Sequence, residues 1–153
     1  MYQSQKGLLF CLALIFLILG CRKDDQNQLD RDLEIIREWL SDHNLEASAT
    51  SSGLHYIIDN PGFGNHPTSI SQVTVAYSGK LTNGFIFDQS PTTGIRFGLN
   101  QVIPGWTEGI QLFREGGRGK LIIPSVLAYG ARGAGDIPPN SVLIFDIHLI
   151  QVH

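Results

Sequence analysis

The stretch Val73-Thr74-Val75-Ala76-Tyr77-Ser78-Gly79-Lys80-Leu81 decides the fold. Val73, Val75, Tyr77 and Leu81 share one parity, while Thr74, Ala76, Ser78 and Lys80 take the other. Successive side chains of a strand point to opposite faces, so this period of two predicts a strand with one apolar and one polar side. Asn83-Gly84 follows, a pair suited to tight hairpin turns, and Phe85-Ile86-Phe87 brings the chain back. Strand, tight turn and returning strand begin an antiparallel sheet.

The same signals extend outward. Gly53-Leu54-His55-Tyr56-Ile57-Ile58 reads as a strand that ends at Asn60-Pro61-Gly62. Arg96-Phe97-Gly98-Leu99 is another short strand, and Lys120 to Ile123 is one that stops at Pro124. Ser141 to Val152 is the last, with Leu143, Phe145, Ile147 and Leu149 on one face. Between Gly105 and Phe113 the period changes, and Trp106, Ile110 and Phe113 fall at helical spacing. Most of the 17 glycines lie after position 53, as an antiparallel sheet with many turns requires. The class is α+β, with one short helix on one face of the sheet.

Before the sheet, Leu29, Leu33, Ile36 and Leu40 recur at steps of four, three and four, widened by Ile35 and Trp39. That predicts a short helix over 29–40, with Asp30 and Asp32 near its positive end. Such a helix packs on the domain or spaces it; a dimerisation helix is the alternative. Residues 22–29 read as a polar tether, and His43 to Ser52 as a linker.

The N-terminus reads as an address. Lys6 precedes the apolar run Gly7 to Leu19, which is short of the roughly 20 residues a membrane span needs. A basic start, an apolar middle and a small residue at the end are the layout of an export signal. Ile18-Leu19-Gly20-Cys21 resembles the bacterial lipobox, which implies cleavage and lipidation at Cys21; an uncleaved anchor is the alternative. Arg22 follows the Cys where an Asp would signal inner-membrane retention, so the expected address is the outer membrane of a bacterial envelope. The expected division is 1–20 lipoprotein signal peptide, 21–52 lipidated tether, short helix and linker, and 53–153 globular domain.

Common catalytic sets are missing from the sequence. The two cysteines, Cys11 and Cys21, precede the domain, and the five histidines lack zinc-site spacing. No nucleophile elbow, phosphate loop or dinucleotide fingerprint occurs. No metal or cofactor is expected, and a formal net charge of −3 gives no reason to expect nucleic acid.

What remains is a set of aromatic and aliphatic residues beside turns. In order they are Val75-Ala76-Tyr77-Ser78-Gly79, Gly84 with Phe87-Asp88, Val102-Ile103-Pro104-Gly105-Trp106-Thr107-Glu108-Gly109, Ala128-Tyr129-Gly130, Ile137-Pro138-Pro139-Asn140 and Leu143-Ile144-Phe145-Asp146. This order closely resembles the FKBP family of peptidyl-prolyl cis–trans isomerases, from about Gly53 to Val152.

The resemblance implies an antiparallel half-barrel sheet of five or six strands wrapped around one short helix, with a pocket between them. Trp106 would be the floor, Tyr77, Phe87, Val102, Ile103, Tyr129 and Phe145 the walls, and Ile137 part of a loop closing over it. Tyr77, Phe87, Asp88, Trp106, Tyr129 and Phe145 are the expected catalytic set; Ile95, Phe97, Val102, Ile103, Ala128 and Ile137 are expected to bind substrate. The family further implies that the Tyr129 hydroxyl donates to a peptide carbonyl. Asp88 either orients Tyr77 or serves a turn, and Asp146 reads as surface. Expected ligands are proline-containing polypeptides and macrolide inhibitors. A chaperone or peptide-binding module without catalysis is the competing function. Ile95 stands where many members carry a Phe, Gln101 where a Glu is common, and residues 131–136 lack the His or bulky apolar residue of some closing loops.

Overall fold

The computed structural model describes the backbone of residues 5–153 and the side chains of residues 24–153. The expected signal run and Cys21 lie outside the residues whose side chains are described. Among the described residues, no helix is long and apolar enough to cross a membrane.

Helix α1 (Gln5–Asp42) precedes seven strands: β1 (Ser48–Ala49), β2 (His55–Asn60), β3 (Gln72–Leu81), β4 (Ile86–Gln89), β5 (Ile95–Gly98), β6 (Arg118–Ile123) and β7 (Leu143–Val152). Helix α2 (Pro104–Ile110) falls between β5 and β6 in the chain. The strands lie in the order β1-β2-β6-β7-β3-β4, and β5 also pairs with β3. All pairings are antiparallel. The longest joins β3 to β7, from Val73 opposite Val152 to Leu81 opposite Leu143. On the other edge of β3, β5 pairs with Gln72 to Val75 and β4 with Ser78 to Lys80. This is the expected α+β arrangement. The sheet has seven strands rather than five or six. One of them is the two-residue β1, which pairs with β2 inside the expected 43–52 linker.

The alternation read from the sequence sets the inner face. Val73, Val75, Leu143, Phe145, Ile147 and Leu149 are all buried there, in one core with Trp106, Ile110 and Phe113. Helix α2 lies close on β6 because it presents glycines at the contact. A Cβ on Gly105 would stand 2.4 Å from Ile123 Cγ2, and one on Gly109 2.6 Å from Leu121 Cδ1. Side chains at either position would lift the helix from the close-packed interior and Trp106 with it.

The outer face is covered by α1. Ile36 and Trp39 pack with Ile122, Val142 and Ile144, flanked by Leu33 and Leu40. The apolar side of the predicted helix therefore meets the chain's own sheet. The helix also runs past both predicted ends. Residues 24–29, expected as tether, are helical; Gln26 bonds Asp30 at 3.2 Å and Gln28 bonds Asp32 at 2.8 Å. Pairs four residues apart favour helix without leaving an apolar signal. A polar contact adds to the docking: fully buried Asp32 accepts from the Ser125 N–H at 2.7 Å and the Ser125 hydroxyl at 2.6 Å.

Candidate active site

Five elements and one loop bring aromatic residues to one region of the inner face. β3 supplies Tyr77, β4 Phe87 and Asp88, β5 Ile95 and Phe97, α2 Trp106, and β7 Phe145. Val102 and Ile103 lead into α2, and Tyr129 lies on the loop after β6. With Gln101, these residues line a hollow of about 520 Å³.

Trp106 is its centre. Its ring lies 4.9 Å from Tyr77 at 88°, 5.1 Å from Phe145 at 85°, and 5.4 Å from Phe97 at 52°. Phe87 meets Phe145 edge to face at 5.6 Å. Edge-to-face contact suits the ring quadrupoles, so the walls hold one another in place. The Trp106 indole N–H is buried and has no hydrogen-bond partner among the described residues.

Room for two of these rings comes from Gly79, opposite Phe145 on β7 and opposite Asp88 on β4. A Cβ there would stand 2.6 Å from Phe145 and 2.8 Å from Phe87. Sequence reasoning gave Gly79 no role, although a glycine on the apolar parity of a strand is a sign of close approach. Gln101, a departure from the family pattern, is also a wall residue.

The polar groups are few. The Tyr77 hydroxyl donates to Asp88 Oδ2 at 2.7 Å, so Asp88 orients Tyr77. Burial, then the Asp88 hydrogen bond and charge, push the Tyr77 phenol above its ordinary range, which keeps its proton in place. Tyr129 is 41% exposed at the rim of the hollow.

Two of the expected residues stand apart. Ile137 is buried and lines an adjoining hollow of about 270 Å³, sharing Phe87, Asp88 and Tyr129 with the first. Its loop folds back on itself through an Ala134–Ile137 bridge, which sets it beside the main hollow. Ala128 is half-buried against the core and lines neither hollow. On the outer face, Asp146 lies between Lys120 at 2.5 Å and Lys80 at 2.8 Å. Burial raises its pKa, but the two lysines outweigh that and hold the carboxyl below its ordinary range. Among the described residues, no three His, Cys, Asp or Glu side chains gather as a metal site would require.

The model of the FKBP-type peptidyl-prolyl cis-trans isomerase family matches residues 64–150. A probable FKBP-type peptidyl-prolyl cis-trans isomerase FkpA of Neisseria meningitidis serogroup B is 51% identical over 106 residues, 67% of this chain and 39% of the relative. FkpA of Escherichia coli K12 is 47% identical over 132 residues, 85% of this chain and 48% of the relative. The chain thus spans less than half the length of these curated relatives. The crystal structure of a peptidyl-prolyl cis-trans isomerase from Pseudomonas syringae superposes with a TM-score of 0.70 at 38% identity, covering 80% of this chain and 94% of that one.

Proposed function

The chain belongs to the FKBP-type peptidyl-prolyl cis-trans isomerase family, and on that premise we propose that it accelerates X–Pro bond rotation in proline-containing polypeptides. The observation that carries this reading is the ring-lined hollow over Trp106.

Amide resonance gives the bond a barrier of about 18–20 kcal/mol. The planar amide is strongly dipolar, and water stabilises it by hydrogen-bonding its oxygen. Twisting breaks the resonance and lowers the charge on that oxygen. Walls of Tyr77, Phe87, Phe145, Val102 and Ile103 replace water with apolar surface and so favour the less polar twisted form. The single Tyr77 hydroxyl proton is committed to Asp88, so it does not restore what water supplied. Asp88 acts as an acceptor that fixes a wall, not as a general base. Tyr129 holds the peptide from the rim through its hydroxyl. Each ~1.4 kcal/mol by which the twisted form is favoured gives about tenfold in rate. Macrolide inhibitors are proposed to compete for the same hollow.

Cys21 is proposed as the lipidated first residue after removal of residues 1–20, with 53–153 as the working domain and the outer membrane as its address. The Ile18-Leu19-Gly20-Cys21 pattern supports this. Incorporation of labelled fatty acid that is lost in Cys21→Ser tests it; labelling that persists in the variant contradicts it.

Proline-limited refolding of a model protein tests the activity. Substoichiometric amounts of the chain should speed the slow phase, and Phe87→Ala should remove most of that effect. An unchanged slow phase would leave peptide binding without catalysis as the function.

A further inference from the structure

We propose that Asp32 of α1 is a positioning residue for the candidate active site, acting through Ser125 on Tyr129; this rests on the isomerase reading above. Asp32 is fully buried, and burying a carboxylate costs several kcal/mol unless hydrogen bonds repay it. Its Oδ2 accepts from the Ser125 N–H and hydroxyl, and its Oδ1 accepts from Gln28 Nε2 at 2.8 Å. Docking of α1 also rests on Ile36 and Trp39, which pack on the sheet independently of Asp32.

What the carboxylate adds is control of one loop. Ser125 opens the 3-10 turn Ser125–Leu127, and Pro124 before it makes no side-chain cap. Asp32 supplies the missing cap from a distance of 93 residues in sequence. The turn then closes through Leu127 N–H to Pro124 O at 3.0 Å and Ala128 N–H to Ser125 O at 2.9 Å. Tyr129 is the next residue. Beyond it, Gly130 O accepts from the Asn140 N–H at 2.8 Å. Tyr129 is thus suspended between two fixed points, and one of them is Asp32. Hydrogen bonds as short as these fix the geometry of the turn.

The test uses the full chain carrying Asp32→Ala, Asp32→Asn or Ser125→Ala, beside Leu149→Ala as a variant destabilised elsewhere. The rate constant kcat/KM on an X-Pro peptide is read at a temperature where every variant is folded. Asp32→Ala should lose about tenfold and Ser125→Ala about threefold. Asp32→Asn, which keeps an oxygen for Ser125, and Leu149→Ala should stay within about twofold. In a Tyr129→Phe background the Asp32→Ala step should shrink to about twofold or less, because both changes act through one hydroxyl. A folded Asp32→Ala protein with the wild-type rate, or an undiminished step in the Tyr129→Phe background, overturns the proposal. Should Asp32→Ala not fold, Ser125→Ala decides: a loss that vanishes with Tyr129→Phe supports it, and an unchanged rate overturns it. A wild type with no isomerase activity sinks the functional reading instead. In that case the Tyr129 ring resonances decide, shifting in Asp32→Ala or Ser125→Ala and not in Leu149→Ala; resonances that stay in place overturn the proposal.

Discussion

The two faces of the sheet bury similar side chains in different ways. On the outer face, Ile122, Val142 and Ile144 meet Ile36 and Trp39 of α1, and each is at most 8% exposed. On the inner face, the rings around Trp106 pack edge to face yet leave a hollow of about 520 Å³. Close packing is the rule for protein interiors, so a closed contact needs no explanation beyond stability. An apolar hollow with few polar groups does, and a bound ligand is the usual one. The comparison predicts that activity follows the residues lining the hollow, together with the Asp32–Ser125 contact that positions one of them, while other buried side chains serve stability.

The largest effect belongs to the outer face. Ile144→Ala removes a fully buried side chain and should cost about 3 kcal/mol in urea unfolding, with peptide turnover within about twofold of wild type. A tenfold loss of turnover would break the separation. Gly79→Ala belongs to both faces of the argument. Its Cβ would meet Phe145 at 2.6 Å and Phe87 at 2.8 Å, so the rings must tilt. It should cost about 2 kcal/mol of stability and about tenfold in turnover together. Phe87→Ala sharpens the inner-face claim: Phe87 is only partly buried, so turnover should fall about tenfold while stability drops by less than about 1.5 kcal/mol.

The smallest effect concerns Asp146, on the outer side of β7 between Lys80 and Lys120. Its folded pKa is lowered, so its contribution is present above the unfolded carboxylate value of about 3.9 and fades as pH falls below it. Both ion pairs are partly exposed and screened, which keeps the effect small. Urea midpoints of wild type and Asp146→Asn should differ slightly at neutral pH and converge in acid. A gap that widens in acid contradicts the assignment.

Much of the inner face was legible in the sequence because a strand repeats every two residues. Val73, Val75, Leu143, Ile147 and Leu149 could be placed by parity alone, and Trp106, Ile110 and Phe113 by helical spacing. The ring set around the hollow followed from the order of short motifs rather than from any one of them. The outer face left a signal that went unused. Leu121-Ile122-Ile123 and Leu143-Ile144-Phe145 are continuous apolar runs, and a strand apolar on both parities is covered on both sides. Other features leave no local trace. The helical state of residues 24–29 rests on polar pairs, and the Asp32–Ser125 contact joins residues 93 apart. Ala128 shares a motif with Tyr129 yet lines neither hollow, because sequence order does not say which neighbour faces the opening.

Exchange spectroscopy on a short X-Pro peptide tests the central claim most directly. With a catalytic amount of the chain, cross-peaks between the cis and trans forms should appear at mixing times too short for the free peptide, which takes tens of seconds or more to exchange. They should weaken about tenfold in Phe87→Ala and persist in Ile144→Ala. Peptide resonances that shift on binding while no exchange peaks appear would contradict the claim, leaving a hollow that binds proline without turning it.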